Sequence, residues 1–192
     1  IRNIKHKITI ESNWIWKGHS LADIDNMAKS SPVYNETLSD DPAAILFTSG
    51  STGPPKGVVY THGMFSHQLK VLRSYYKIQS GEVDLSTFPL FSLLGIGIGM
   101  TSILPKMDFT RPAKVDPNEI LKTIKKYNVT SGFGSPALWD TVCCFCILKK
   151  QHLSSLNRIL MAGAPISGSL IKKFDHILNH KAEIHTPYGA TE

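Results

Sequence analysis

Short apolar runs rich in β-branched residues alternate along this chain with segments of helical periodicity. The runs predicted as strands cover residues 43–49, 57–62, 83–90, 129–136, 156–163 and 182–189, and the predicted helices cover 21–29, 62–76, 116–128, 136–150 and 167–180. This alternation is typical of an α/β layered fold, in which helices flank a largely parallel sheet. With 192 residues, the chain is long enough to bury a core, as one domain or as part of a larger one.

Two of these segments have more detailed predictions. The helix at 116–128 begins with Asp116 as its N-cap, Pro117 at the first helical position and Glu119 in the first turn, which is a standard start signal. The run AAILFTS at 43–49 is predicted to be a buried strand, because it is almost wholly apolar. The sequence therefore predicts where the helix at 116–128 begins and that the run at 43–49 is buried.

The charge of the chain favours a small anionic ligand over nucleic acid. A net charge of +6 and a pI of about 9.2 suit a nucleotide or CoA, but the charges are scattered along the sequence. The basic pairs Lys125–Lys126 and Lys172–Lys173 lie on predicted helices, where a solvated face is expected. No RNA-recognition or zinc pattern accompanies them, so a nucleic-acid partner is not expected.

The three cysteines, Cys143, Cys144 and Cys146, lie within four residues of one apolar predicted helix. Such a cluster is a poor disulfide framework, so reduced core cysteines and a cytoplasmic location are expected. The sequence shows no signal peptide, and the apolar run 93–104 is too short to span a bilayer. Because the chain begins at Ile1 and not at a methionine, a fragment of a longer protein is expected.

The stretch FTSGSTGPPKGVVYTHG at 47–63 combines glycine, hydroxyl and lysine residues between two predicted strands. Successive glycine-rich amides form an anion nest, hydroxyls add donors and Lys56 adds a positive charge, so the loop suits a phosphate chain. It lacks the adjacent glycine and lysine of a Walker A motif. Two prolines and a lysine also disfavour a merely flexible linker.

This stretch resembles the phosphate loop of the adenylate-forming superfamily, which includes acyl-CoA synthetases, luciferases and the adenylation domains of peptide synthetases. YGATE at 188–192 and MAGAPIS at 161–167 resemble two further motifs of that family, in the same order. The resemblance implies that residues 1–192 are a central part of the large N-terminal domain. The start of that domain and the small C-terminal domain with its catalytic lysine are expected to lie outside the sequence.

The resemblance also implies roles for individual residues. It places Ser49, Gly50, Ser51, Thr52, Gly53, Lys56 and Thr191 on the ATP phosphates, Thr48 on the phosphates and Mg²⁺, Glu192 on Mg²⁺, Tyr188 against adenine, and Gly163, Ala164 and Pro165 along the adenine and acyl side. An acyl pocket is expected from Phe91, Ser92, Leu94, Gly132, Phe133 and Gly134. His62 is expected to cap or pack against the next helix, and His176, His180 and His185 show no metal-ligand spacing.

The implied reaction is ATP-dependent activation of a carboxylic acid, with Mg²⁺, to an acyl-adenylate. A fatty or hydroxy-fatty acid is expected, and transfer to CoA or to the phosphopantetheine of a carrier protein is expected to follow. Ser92 stands where many acyl-CoA synthetases have histidine, and MDFTRPAKVDP at 107–117 resembles long-chain acid ligases and olefin β-lactone synthetases. β-Lactone synthesis, amino-acid adenylation and a truncated, non-catalytic nucleotide-binding fragment are the alternatives.

Overall fold

The computed structural model describes residues 8–9, 18–27, 36–48 and 54–189. The chain divides into two compact units, 1–37 and 38–192. In the first unit, strand β1 (Ile8–Thr9) pairs in parallel with β2 (His19–Ser20), and helix α1 spans Leu21–Met27. Ser20 and Asp23 cap this helix reciprocally, since the backbone N–H of each donates to the side chain of the other.

The second unit contains a hairpin and a parallel sheet. Strands β3 (Pro42–Phe47) and β4 (Gly57–Thr61) pair antiparallel. The five-stranded sheet has the order β6-β5-β7-β8-β9, and all of its strands are parallel. These strands are β5 (Val83–Ser86), β6 (Thr101–Ile103), β7 (Ser131–Gly134), β8 (Arg158–Met161) and β9 (Glu183–His185). The predicted α/β fold with a largely parallel sheet is confirmed.

Helices cover both faces of this sheet. They are α2 (His62–Tyr75), α3 (Pro89–Ile98), α4 (Pro117–Tyr127), α5 (Pro136–Leu148) and α6 (Gly168–Phe174), with a short 3₁₀ turn at Pro112–Lys114. The larger core packs α4, α5 and α6 on the sheet around the fully buried Trp139 and Phe174. A smaller cluster of Tyr76, Ile78, Ile98 and Met100 joins α2 and α3. The apolar faces of the helices therefore pack into two hydrophobic clusters.

Local capping signals determine where several helices begin. Asp116 caps α4 by accepting from the Asn118 N–H at 2.9 Å, with Pro117 first in the helix, as predicted. Thr61 caps α2, because its Oγ1 accepts from the Met64 N–H at 3.2 Å. Of the two roles expected for His62, capping is wrong, since His62 is the first residue of the helix, and packing stays a prediction. A threonine hydroxyl satisfies the free N–H groups of the first turn without requiring a ring to bend back.

Helices α2, α4 and α5 end in the same way, with a non-glycine residue in the left-handed conformation. The φ angles are 52° at Lys77, 49° at Asn128 and 51° at Lys150. In each case the next N–H reaches back to a carbonyl five residues earlier, as from Gln151 to Cys146 at 2.8 Å. This is the Schellman arrangement, in which glycine is usually favoured. Two lysines and an asparagine therefore occupy strained backbone positions.

Four further predictions need correction. The run at 43–49 is not buried: in β3 the side chains of Ile45 and Phe47 are 58% and 70% exposed. The strand predicted at 83–90 ends at Ser86, because Pro89 starts α3. The helix predicted at 167–180 ends at Phe174. Cys144 is exposed, whereas Cys143 and Cys146 lie in the core as expected.

Charged side chains are buried near the amino-terminal ends of β5 and β8. Arg158 Nη1 donates to Glu82 Oε2 at 2.5 Å, and both side chains are largely buried. Asp84 is also buried, and this burial raises the pKa of its carboxyl to about 6, against the opposing effects of Ser86 and Arg158. The ion pair connects two strands that lie on either side of β7.

Among the residues that the structure describes, no helix combines the length and the apolar character needed to cross a membrane.

Candidate functional site

The β3–β4 hairpin holds both ends of the glycine-rich loop. Thr48 donates its N–H to the Lys56 carbonyl oxygen at 3.0 Å, and the Lys56 N–H donates to Thr48 Oγ1 at 3.3 Å. These two bonds continue the ladder beyond the last paired residues, Phe47 and Gly57. The loop therefore begins and ends at a fixed neck, which brings the two predicted ligand residues Thr48 and Lys56 together.

Lys56 leaves this neck with an exposed side chain. No carboxylate of the described residues forms an ion pair with it. Gly57, next in the chain, lies under the side chains of Ile45 and Phe47, since a Cβ at Gly57 would lie 3.0 Å from Ile45 Cγ2. The hairpin thus presents the Lys56 ammonium group to solvent beside the neck of the loop.

Several predicted ligand residues lie outside the described residues: Ser49, Gly50, Ser51, Thr52 and Gly53 of the loop, and Thr191 and Glu192. Their roles stay predictions. The Mg²⁺ site predicted from Thr48 and Glu192 has one described member, and Thr48 Oγ1 accepts a hydrogen bond from the Lys56 N–H. Elsewhere in the described ranges, no group of three or more His, Cys, Asp or Glu side chains could hold a metal ion.

Because the five strands are parallel, their carboxyl ends all lie at the same end of the sheet, which we call the carboxyl edge. Strand order reverses between β5 and β7, because the chain passes from β5 to β6 on one side and then to β7 on the other. In open α/β sheets, ligands bind at the carboxyl edge beside such a switch point. The segments that leave β8 and β9 at this edge carry the predicted adenine residues, Gly163–Pro165 and Tyr188.

These two segments present open surface. Gly163 has a φ of 91°, and a Cβ built on it would meet no atom within 4 Å. Ala164 and Pro165 are exposed. The Tyr188 side chain is 99% exposed, so its ring contributes nothing to a described core. Both segments therefore leave their predicted residues accessible: a turn of small residues after β8 and an aromatic ring after β9.

The predicted acyl-pocket residues fall on two different faces of β7. Phe133 packs edge-to-face on Phe91 of α3, with ring centroids 4.5 Å apart. Gly132 and Gly134 face the opposite way, where a Cβ would lie 2.9 Å and 2.8 Å from the Trp139 indole. The structure therefore brings Phe91 and Phe133 together, while the two glycines make room for a core tryptophan.

The other two predicted pocket residues lie on α3. Ser92 is buried, and its Oγ donates to the Pro89 carbonyl oxygen at 2.6 Å, so the hydroxyl is turned back along its own helix. Leu94 is half-buried. Phe88, Phe91 and Phe133 thus form an aromatic group at the carboxyl end of β5 and β7.

Sequence reasoning missed two residues that shape this edge. Trp139 is fully buried under β7, and its Nε1 has no hydrogen-bond partner among the described residues. Thr87 connects the strands at the switch point, since its Oγ1 donates to the Phe133 carbonyl oxygen at 2.7 Å. Gly132 and Gly134 alternate with Phe133 in a predicted strand, and glycine in a strand often marks a place where another group packs closely. This pattern could have indicated that a large side chain packs on β7.

Two shallow surface grooves lie away from all of these residues. One has a volume of about 450 Å³ and is lined by Lys70, Arg73, Ser74, Lys77, Ile78 and Gln79. The other, of about 370 Å³, is lined by Cys146, Ile147, Lys150, Gln151, His152 and His176. Neither contains a predicted ligand residue, so neither changes the candidate site.

Comparison with known proteins gives a family and a set of relatives. The profile described as "AMP-binding enzyme" matches residues 2–192. The olefin beta-lactone synthetases of Xanthomonas campestris pv. campestris and Stenotrophomonas maltophilia are 41% and 42% identical to this chain, each over 96% of it. The match covers 33% of each relative, so the chain spans about a third of their length.

Solved structures agree on the fold. The luciferase-like enzyme of the nonluminescent Zophobas morio mealworm superposes with a TM-score of 0.73 at 23% sequence identity. That superposition covers 97% of this chain and 43% of the other. At this identity the likeness concerns the arrangement of strands and helices.

Proposed function

Because the chain belongs to the AMP-binding enzyme family, confirming the resemblance to adenylate-forming enzymes, we propose that its full protein activates a carboxylic acid with ATP. The acid oxygen attacks the α-phosphorus, the bond to pyrophosphate breaks, and an acyl-adenylate forms. The protein's part is to position the reactants and offset charge on the phosphate oxygens. In this proposal, the exposed Lys56 ammonium and the 49–53 amides bind the phosphate chain.

The adenine is proposed to bind at the carboxyl edge of β8 and β9. The exposed Tyr188 ring supplies a stacking face, and the open space over Gly163 admits the base. Mg²⁺, when bound, would neutralise phosphate charge, with Thr48 and Glu192 as its proposed ligands. Thr48 is fixed at the loop neck by its bonds to Lys56, which suits a residue that must keep its hydroxyl near the phosphates.

For the second step, we propose β-lactone formation from a β-hydroxy fatty acid. The observation that carries this proposal is the identity of 41% and 42%, over 96% of this chain, to two olefin beta-lactone synthetases. The substrate's β-hydroxyl oxygen attacks the acyl carbonyl carbon, the bond from that carbon to AMP breaks, and the hydroxyl proton is released. A four-membered lactone and AMP result, without an external thiol.

The apolar acyl chain is proposed to lie against the aromatic group of Phe88, Phe91 and Phe133. Phe88 is 46% exposed and Phe91 is half-buried, so the group presents ring surface that alkyl carbons could cover. No acidic residue lies in the run FPLFSLLG at 88–95, where amino-acid adenylating enzymes pair with the substrate amine. A fatty acid is therefore favoured over an amino acid.

Thioester formation with CoA or a carrier phosphopantetheine is the second candidate, because the family includes many acid–thiol ligases. Thioester formation is the outcome expected from the sequence motifs, and the identity to the lactone synthetases reverses that preference. A truncated fragment that binds nucleotide without catalysis is the non-enzymatic alternative.

The free state of the chain's three cysteines supports the proposal of a cytoplasmic location, where thiols stay reduced.

The experiment that tests these alternatives uses the full protein with ATP, Mg²⁺ and 3-hydroxydecanoate, with and without CoA. A lactone and AMP that form equally in both reactions would support the proposal. Decanoate is the matched control: it lacks the β-hydroxyl, so it should support pyrophosphate–ATP exchange but give no lactone. AMP release that depends on CoA would favour the thioester, and no acid-dependent exchange with fatty or amino acids would contradict the enzyme proposal.

A further inference from the structure

The ends of α4 and α5 form one surface away from the candidate site. Helix α4 ends shortly before β7 begins and α5 ends before β8 begins, so both helix ends lie at the amino end of the sheet. They also touch, because Lys125 Nζ of α4 donates to Oε1 of Gln151, which follows α5, at 2.6 Å. Residues 125–127 and 147–150 are all exposed there, and we call them the α4–α5 surface.

The α4–α5 surface carries an excess of positive charge. It has four lysines, two at the end of each helix, and none of them forms an ion pair with a carboxylate of the described residues. From residue 120 to residue 174 the sequence has eight lysines and arginines but one acidic residue, Asp140. Lys173 Nζ already donates to Asp140 at 2.6 Å. The surface therefore attracts an anionic partner.

Apolar side chains are exposed among these lysines. The Leu148 side chain is 77% exposed and that of Tyr127 is 44% exposed, and Lys126 Nζ lies 4.9 Å from the centre of the Tyr127 ring. Lysines at the end of a helix complement its dipole, but that accounts for the charges alone. The exposed leucine and tyrosine indicate a partner that offers apolar contact as well as negative charge.

We propose that the α4–α5 surface docks the full protein on an anionic lipid bilayer. The lipid phosphates would contact the four ammonium groups, while Leu148 and Tyr127 would enter the headgroup layer. A nucleic acid would match the charges but would leave Leu148 in water. Because unpaired lysines are almost never fully buried, we expect this surface to stay accessible in the full protein.

Docking through this surface leaves the candidate site free. The α4–α5 surface lies at the amino end of the strands, and the predicted ligand residues of β8 and β9 follow the carboxyl edge. Bilayer contact would also hold an enzyme that activates fatty acids close to where such acids partition. That advantage rests on the proposed function, whereas the binding itself does not.

The test measures sedimentation of the full protein with lipid vesicles, without ATP or acid. We expect binding to phosphatidylcholine vesicles that contain about 30% phosphatidylglycerol, and little binding to phosphatidylcholine alone. Binding should be lost in about 1 M salt, where the screening length falls to about 3 Å. No binding to the anionic vesicles, or equal binding to both kinds, would overturn the proposal. Neither result bears on the ATP-dependent reaction.

A pair of lysine substitutions locates the contact on the molecule. Lys126→Gln combined with Lys149→Gln removes two positive charges and should weaken binding to the anionic vesicles about tenfold. Lys70→Gln combined with Arg73→Gln is the matched control, since it removes the same charge from α2, which packs into the other hydrophobic cluster. The control should bind like the wild type, and an equal loss in both double variants would overturn the assignment to the α4–α5 surface.

Leu148→Ser separates a bilayer from other anionic partners. It should weaken vesicle binding about fivefold, because a serine side chain gains nothing from entering the headgroup layer. Leu38→Ser, at a side chain that is 73% exposed elsewhere in the chain, is the control and should have no effect. If Leu148→Ser binds like the wild type while the lysine variant does not, the contact is purely electrostatic and the bilayer proposal is wrong. All substituted side chains are exposed, so each variant should stay folded, which thermal unfolding checks.

Discussion

Thr48 and Lys56 bond to each other twice, once between backbones and once from backbone to side chain, and so close the neck of the glycine-rich loop. Replacing Thr48 with alanine removes the side-chain acceptor and leaves the Lys56 N–H with one fewer partner. We expect Thr48→Ala to slow acid-dependent pyrophosphate–ATP exchange about tenfold, because phosphate contacts depend on loop placement. Thr48→Ser keeps the oxygen and should retain most of the rate.

Thr61→Ala is the control for this prediction. It also removes a hydroxyl from the hairpin, but that hydroxyl caps α2, so the change should lower the unfolding temperature without raising the KM for ATP. If Thr48→Ala and Thr61→Ala alter exchange to the same extent, the loop neck has no special role.

Gly134→Ala should destabilise the fold by about 1–3 kcal/mol. Its Cβ would lie 2.8 Å from Trp139 Nε1 and 3.2 Å from Thr87 Oγ1, and the indole is fully buried, so it has little space to move. Gly168→Ala provides the control, since a Cβ there meets nothing within 4 Å. Urea denaturation measures both changes.

A double variant tests whether the indole causes the cost of Gly134→Ala. Trp139→Phe removes the nitrogen that meets the new Cβ, so the combined loss should be smaller than the sum of the single losses. Strictly additive losses would show that Gly134 and Trp139 act independently.

Asp84→Asn should stabilise the protein at pH 8 and have little effect at pH 4. Burial raises the pKa of Asp84 from 3.8 to about 6 in the folded state, so folding favours the protonated carboxyl. The stability that this group contributes is complete below pH 4 and is lost as the pH rises through 6. At pH 8 the asparagine variant should gain up to about 3 kcal/mol. Urea denaturation of both proteins from pH 4 to 8 gives the comparison, and a loss of stability at pH 8 would contradict it.

Lys150→Gly should raise stability by about 1 kcal/mol, because glycine adopts the left-handed conformation without the cost that a side chain incurs there. Lys149→Gly is the matched control: it removes the same charge from the same helix end, but its φ is −90°, so the variant should be less stable. Thermal unfolding distinguishes the two. A lower unfolding temperature for Lys150→Gly than for the wild type would contradict the assigned backbone strain.

Local signals in the sequence predicted local features of this fold. Asp116 and Pro117 identified the start of α4 because capping involves neighbouring residues only. The apolar run at 43–49 predicted a strand correctly but its burial wrongly, because burial depends on what packs against β3 from elsewhere in the protein. The fold of the sheet followed from alternation, since parallel strands need helical crossovers between them.

In the candidate site, too, features set by neighbouring residues were predicted, and features set by distant residues were not. The neck residues Thr48 and Lys56 came from a contiguous motif, and the structure places them together. The pocket role of Gly132 and Gly134 stays a prediction, and their approach to Trp139 depends on the strand register of β7, which the sequence does not show. The bond from Thr87 Oγ1 to the Phe133 carbonyl oxygen joins residues 46 positions apart, and no local pattern indicates it.

The Arg158–Glu82 ion pair has a mechanical consequence for the sheet. It connects β8 to the chain just before β5 across β7, and so fastens the edge at which these strands begin. At the opposite, carboxyl ends of the strands, Thr87 Oγ1 donates to the Phe133 carbonyl oxygen, next to the ladder pair Ser86–Phe133. A buried charge pair therefore holds the amino ends of β5 and β8 together, whereas backbone ladder pairs and one hydroxyl bond join the carboxyl ends that carry Phe133 and Met161. When a ligand binds, we therefore expect the carboxyl ends of the strands to move more than the amino ends, which the ion pair holds.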